Sequence, residues 1–166
     1  MPTVTPIEGA ATGYPGGLDD MLVVIANILI NANTELPELT NKNVTVIAPE
    51  TSAEEIDKMI QGHMAKAKGL SVVIIAGGGQ NVEKDLDQPR FKVDFEIQLF
   101  SHPVLRANNA RTPLVLMLEI MRLLHGAQVD IAGYGWFERI TANAFSPLPD
   151  PDFTAYSMTF EREMQF

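Results

Sequence analysis

The sequence predicts an α+β domain, helices packed on a mixed, mainly antiparallel sheet, in the element order α-β-α-β-β-α-β-β. Three observations carry that expectation. From Phe91 to Leu99 the apolar residues take every second place, and Lys92, Asp94, Glu96 and Gln98 fill the gaps, which is the period of a half-buried strand. Between two short apolar runs, Ser52-Ala53-Glu54-Glu55 has the spacing of a capping box and opens a helix, so the first half reads as a β-α-β unit with a right-handed crossover. Near the C-terminal end Tyr156, Met158 and Phe160 alternate with Ser157, Thr159 and Glu161, a second strand with one wet face.

Each element has its own local cause. Met21 to Ile30 is almost unbroken apolar sequence; Asp19 or Asp20 suits the N-cap of a helix there, and Asn31 to Thr34 closes it. A helix apolar nearly all round needs cover on several sides, from the domain's own core or from a neighbouring subunit. Val44 to Ala48 is a short apolar strand. The capped helix that follows carries Ile56, Met59, Ile60 and Met64 on one side and ends with Lys66, Lys68 and Gly69, which supply positive charge and a permissive residue. Leu70 to Ala76 is a continuous apolar run and reads as an interior strand. Gly77 to Pro89 reads as a loop into the alternating strand. Pro113 opens a helix with Leu114, Met117, Leu118, Met121 and Leu124 on one face and Gly126 at its end. Strands at about Tyr134 to Phe145 and Phe153 to Glu163 complete the domain, joined by a proline-rich loop from Ser146 to Asp152.

The 166 residues suit a single domain over 1–166, with 1–17 as an extended N-terminal arm. A formal charge of -9 disfavours a general grip on phosphate backbones, which needs clustered Lys and Arg. The absence of cysteine removes disulfides, thiolate metal sites and a cysteine nucleophile. The apolar helix is far short of the roughly 20 residues that cross a bilayer, so no membrane association is expected. Met1 to Gly17 lacks the basic and then apolar layout of a signal peptide, and a non-secreted protein is expected.

Few motifs invite chemistry. Gly77-Gly78-Gly79-Gln80-Asn81 follows a buried strand, as a phosphate-binding loop does, but lacks the Gly-Lys-Ser/Thr ending and a helix start. His63, His102 and His125 stand apart from any second ligand at metal-binding spacing. Asp94 and Glu96 share one strand face beside Lys92 and Gln98, the pattern of a solvated sheet surface. Ser101 has no nucleophile motif around it, and Asn43-Val44-Thr45 reads as a strand start rather than a glycosylation site. The expectation is a protein that is not an enzyme and that uses no cofactor or metal.

Taken together, the apolar N-terminal helix, the strand ending Phe95-Glu96-Ile97-Gln98-Leu99, the Ala107 to Arg111 turn, the helix Leu116-Met117-Leu118-Glu119-Ile120-Met121-Arg122-Leu123-Leu124-His125-Gly126 and the closing Ala155-Tyr156-Ser157-Met158-Thr159-Phe160 resemble the tail terminator, or tail-completion, proteins of Mu-like and lambda-like bacteriophages. The resemblance spans roughly Asp19 to Phe166 and is strongest from Phe91 onward. It implies a noncatalytic virion protein, made in the host cytoplasm, that forms a hexameric ring on the tail tube, ends its polymerisation and offers a joining surface to a head-tail connector or neck protein. An acidic chain suits a lumen through which DNA passes without specific binding. Ring closure needs two different surfaces per subunit. The candidate contacts with the next subunit or the tube are Met21 and Ile25 on the apolar helix, Arg106, Asn108 and Arg111 in the polar turn, and Leu148 in the proline-rich loop. Two alternatives accompany this expectation: a head-tail connector or other neck component, and, from a different class, a small nucleotide-binding enzyme using Gly77 to Asn81.

Overall fold

The computed structural model describes residues 18–48, 50–81, 90–106, 110–127 and 139–165. The expected N-terminal arm and the loop segment 82–89 lie outside them, as does the start predicted for the penultimate strand near Tyr134. The elements are α1 (Leu18–Asn31), β1 (Val44–Ile47), α2 (Ala53–Lys66), β2 (Leu70–Asn81), β3 (Arg90–Ser101), α3 (Pro113–Leu124), β4 (Thr141–Leu148) and β5 (Thr154–Gln165), the α-β-α-β-β-α-β-β order of an α+β domain. The strands form one five-stranded sheet in the order β1-β2-β3-β5-β4. β1 and β2 are parallel, as the crossover through α2 demands, and every other pair is antiparallel.

The alternation along the strands sorts the core onto two faces. Val72, Ile74, Val93, Phe95, Ile97, Leu99, Met158 and Phe160 face α1 and α3 and form the larger core with Met21, Leu22, Ile25 and Leu29 of α1 and Leu116, Met117, Ile120 and Leu124 of α3. Phe95 and Phe160 are opposite each other across β3 and β5 and stack with centroids 5.0 Å apart. On the other face α2 places Ile60 and Met64 over Val73, Phe100, Phe153 and Ala155. The remainder of that face, over β3 and β5, is polar: Ser157 donates to Glu96 at 2.6 Å, Gln98 donates to Glu96 at 2.8 Å, and Lys92 pairs with Glu161 at 2.6 Å. Lys92, Asp94, Glu96 and Gln98 of β3 thus form a polar, partly solvated surface, as their alternation predicted, while Phe100 at the end of the strand turns under α2.

Four local readings change. Gly77–Asn81 is strand, not loop: β2 continues past a register shift between Ala76 and Gly79 and pairs with Phe91, Lys92 and Val93. The glycine is needed there because a Cβ at Gly77 would lie 2.6 Å from the Asp94 carbonyl oxygen. The proline-rich segment is also partly strand, with Ser146–Leu148 paired to β5; Pro147 is tolerated because β4 is an edge strand. Asp19 and Asp20 fall inside the first turn of α1 rather than at its cap. The buried stripe of α3 is Pro113, Leu116, Met117, Ile120 and Leu124, while Leu114 and Leu118 of the predicted face are 42% and 47% exposed. That helix is apolar almost all round, so its periodicity does not single out a face.

Candidate functional site

One pole of the sheet gathers five of the chain's 12 Lys and Arg residues. Here α2 ends, β2 begins, β3 ends and α3 begins. The end of α2 is closed by a bond from the Gly69 N–H to the Met64 carbonyl at 3.0 Å, with Ala67 as C-cap. Lys68 and Gly69 both adopt left-handed backbone, at φ 53° and 73°. Gly69 is obligatory: a Cβ on it would lie 2.8 Å from the Leu105 Cβ, and its carbonyl accepts from the His102 N–H at 2.7 Å. His102 in turn accepts the N–H groups of Val104 and Leu105 through Nδ1 at 3.2 and 3.3 Å. The turn leading to Arg106 is therefore locked onto the end of α2.

The same pole encloses a cavity of about 420 Å³. Lys42, Lys66, Lys68, Arg106 and Arg111 line it, five of the 12 Lys and Arg residues in a chain of net charge -9. Pro37, Leu70, Pro113 and Leu116 supply apolar wall. Arg111 is neutralised: it donates to both carboxylate oxygens of Glu38, at 2.8 and 2.5 Å, and to the Glu35 carbonyl at 2.6 Å. The hydrogen bond from Arg111 holds the Glu38 carboxyl below its ordinary range, and the same bond raises Arg111. Lys42, Lys66, Lys68 and Arg106 have no ion-pair partner among the described residues, in contrast to Lys58, Lys92 and Arg122. The C-terminus of α2 and the N-terminus of α3 both border the cavity, so their opposed dipoles offset each other and the side chains set its sign.

The expected contact residues are distributed unequally. Arg106 and Arg111 come together on this cavity, where Arg111 meets Glu38, 73 residues away in sequence. Asn108 lies outside the described residues. Leu148 is half-buried against the α2 core cluster. Met21 and Ile25 are fully buried in the larger core, so the apolar helix is covered within the chain and neither side chain offers surface to a second one. Among the described residues the large exposed apolar side chains lie elsewhere: Leu114, Val115 and Leu118 on α3, Val104 and Leu105 in the turn, and Phe145 on β4.

The histidines have structural roles. His63 bridges the Thr45 hydroxyl at 3.1 Å and the Ser71 hydroxyl at 2.7 Å, tying α2 to β1 and β2; burial, with a contribution from Lys66, lowers its pKa. Ser71 is fully buried, and Thr45 and His63 are half-buried. His125 accepts the Ala142 N–H at 3.2 Å. Among the described residues no group of three or more His, Asp or Glu is placed to hold a metal, and no helix is long and apolar enough to cross a membrane. No protein-family model matches the chain, and no curated protein matches it.

Sequence reasoning missed the cavity. Lys66 and Lys68 are legible as helix-end charges, and Lys42 and Arg106 lie in separate turns; only the fold joins them. The signal within the sequence is two short segments, 66–68 and 106–111, that carry Lys66, Lys68, Arg106 and Arg111 and no acidic residue in a chain of net charge -9.

Proposed function

We propose that the chain is a noncatalytic virion structural protein that caps a bacteriophage tail tube as a ring, ends tube polymerisation and carries the joining surface for a head-tail connector or neck protein. The observation that carries this reading is the outer face of α3, where Leu114, Val115 and Leu118 are 42%, 43% and 47% exposed on a helix within the stretch from Phe91 onward that carries the strongest family resemblance. Three large apolar residues within two turns suit a face covered on assembly. The sheet supports the reading with two unlike edges, a short parallel β1 and a longer antiparallel β4, as a head-to-tail arrangement requires. The polar surface over β3 and β5, with Glu96, Glu161 and exposed Asp94, suits contact with solvent or passing DNA rather than adhesion to it.

Light scattering after size exclusion, across a concentration series and with purified tail tubes, tests this. The expected result is a discrete ring of about six subunits, free or on tube ends. A strict monomer that ignores tubes overturns the reading, and a ring that binds the portal side but not the tube identifies a connector instead.

A further inference from the structure

We propose that the cavity between the end of α2 and the start of α3 is a binding site for a small polyanion, an organic molecule carrying two or more phosphoryl or carboxylate charges. This site is separate from the α3 face and does not depend on the tail reading. Its volume of about 420 Å³ lies in the range of small-ligand pockets, roughly 300–1,000 Å³. Its walls divide the work of recognition: Pro37, Leu70, Pro113 and Leu116 accept a carbon skeleton, and Lys42, Lys66, Lys68 and Arg106 accept negative charge.

Three features argue for a polyanion in particular. The chain has 21 Asp and Glu, yet none among the described residues neutralises these four cations, and Arg111 is occupied by Glu38. Glu38 is the one acidic residue of the lining and Arg111 offsets it, so the wall keeps an excess of positive charge; a concave site with such an excess focuses its field and attracts the opposite charge. Lys42, Lys66 and Lys68 are exposed and Arg106 is half-buried, so each contributes little alone and only a ligand that meets several at once gains appreciable affinity. Finally, Lys68 occupies the left-handed position that closes a helix, where glycine is the unstrained choice. A lysine kept at a strained backbone position on a cavity rim is accounted for by the charge it delivers there.

The test is calorimetric titration of the full chain with inorganic pyrophosphate and, separately, citrate, at low and high salt. Saturable one-to-one binding that weakens with salt is expected for at least one of them; pyrophosphate alone assigns a phosphorylated ligand, and citrate alone a polycarboxylate. Lys42→Glu combined with Arg106→Glu weakens binding by about tenfold or more, whereas Lys58→Glu, an exposed charge reversal elsewhere on α2, changes it by less than about twofold. Lys68→Gly separates ligand binding from folding: it relieves the strain and raises the melting temperature while weakening the anion. Silence toward both ligands at low salt overturns the proposal. So does a loss for Lys58→Glu equal to that of the cavity variant, or a duplex oligonucleotide that binds as tightly as pyrophosphate, since either would assign the affinity to general surface charge.

Discussion

The side-chain contacts of Arg111 and of His63 each tie separate segments together, and each has a pH signature. Arg111 clamps the 35–38 segment through a bidentate contact to Glu38, both side chains being about a quarter to a third exposed. Exposure discounts such a pair, and a double-mutant cycle with Arg111→Ala and Glu38→Ala is expected to give a coupling of about 1 kcal/mol. Because the folded pKa of Glu38 lies below 4.5, its contribution is present above that pH and is lost as pH falls through the folded value. His63 behaves differently. Its folded pKa lies below 6.5, so in the window beneath 6.5 the unfolded chain takes up a proton that the folded chain refuses. Its contribution is complete above 6.5 and falls as pH drops from there through the folded value. Urea unfolding between about pH 5 and 7.5 is expected to show this decline in the parent and a flatter profile in His63→Gln. An identical slope in both would assign the dependence to other groups.

At the level of elements, α2 is the most completely specified by local sequence. The Ser52 hydroxyl accepts from the Glu55 N–H at 3.3 Å, and the Glu55 carboxylate accepts from the Ser52 N–H and the Ser52 hydroxyl, each at 2.8 Å, which holds Glu55 below its ordinary pKa. Ser52→Ala is expected to cost about 1 kcal/mol in thermal or chemical unfolding. The glycines of β2 give a sharper contrast. Gly77→Ala drives a Cβ against the Asp94 backbone and should destabilise by about 1–3 kcal/mol, whereas Gly78→Ala meets nothing within 4 Å and should be neutral or mildly stabilising. What was legible follows the same division. The capping box, the alternation of β3 and β5 and the parallel β1–β2 pair are local or periodic signals, and they appear where the sequence puts them. The strand character of Gly77–Asn81 was hidden because glycine has poor strand propensity and only the Asp94 backbone, brought alongside by the hairpin, explains it. Likewise Pro147 signals a break until β5 supplies a partner on one side only. The site was less legible than the fold, since Lys42, the Lys66–Lys68 pair at the end of α2 and Arg106 converge from three places and no spacing rule connects them.

For the whole molecule, the question is why a chain with enough apolar residue to fill two core layers leaves a helix apolar on its outside. Isolated exposed apolar residues need no explanation. On α3, however, Leu114, Val115 and Leu118 form a contiguous set opposite the buried Met117 and Ile120, and the same amino-acid types would serve either face. α1 solves the same problem internally, with Met21, Leu22, Ile25 and Leu29 fully buried. If the outer face of α3 is covered by a second subunit, Leu114→Lys with Leu118→Lys should remove assembly and leave the monomer fold intact. The measured pair is the solution mass by light scattering and the melting temperature: the mass falls to that of one chain and the melting temperature of the dissociated form stays within a few degrees of the parent monomer. Met117→Ala, on the buried side of the same helix, is expected to do the reverse, costing about 2–5 kcal/mol in stability by opening a cavity in the larger core. A mass unchanged by the lysine pair would show that α3 faces solvent in the assembly and would move the subunit contact to the unlike sheet edges, β1 and β4, whose exposed backbone groups are then the surfaces left to meet.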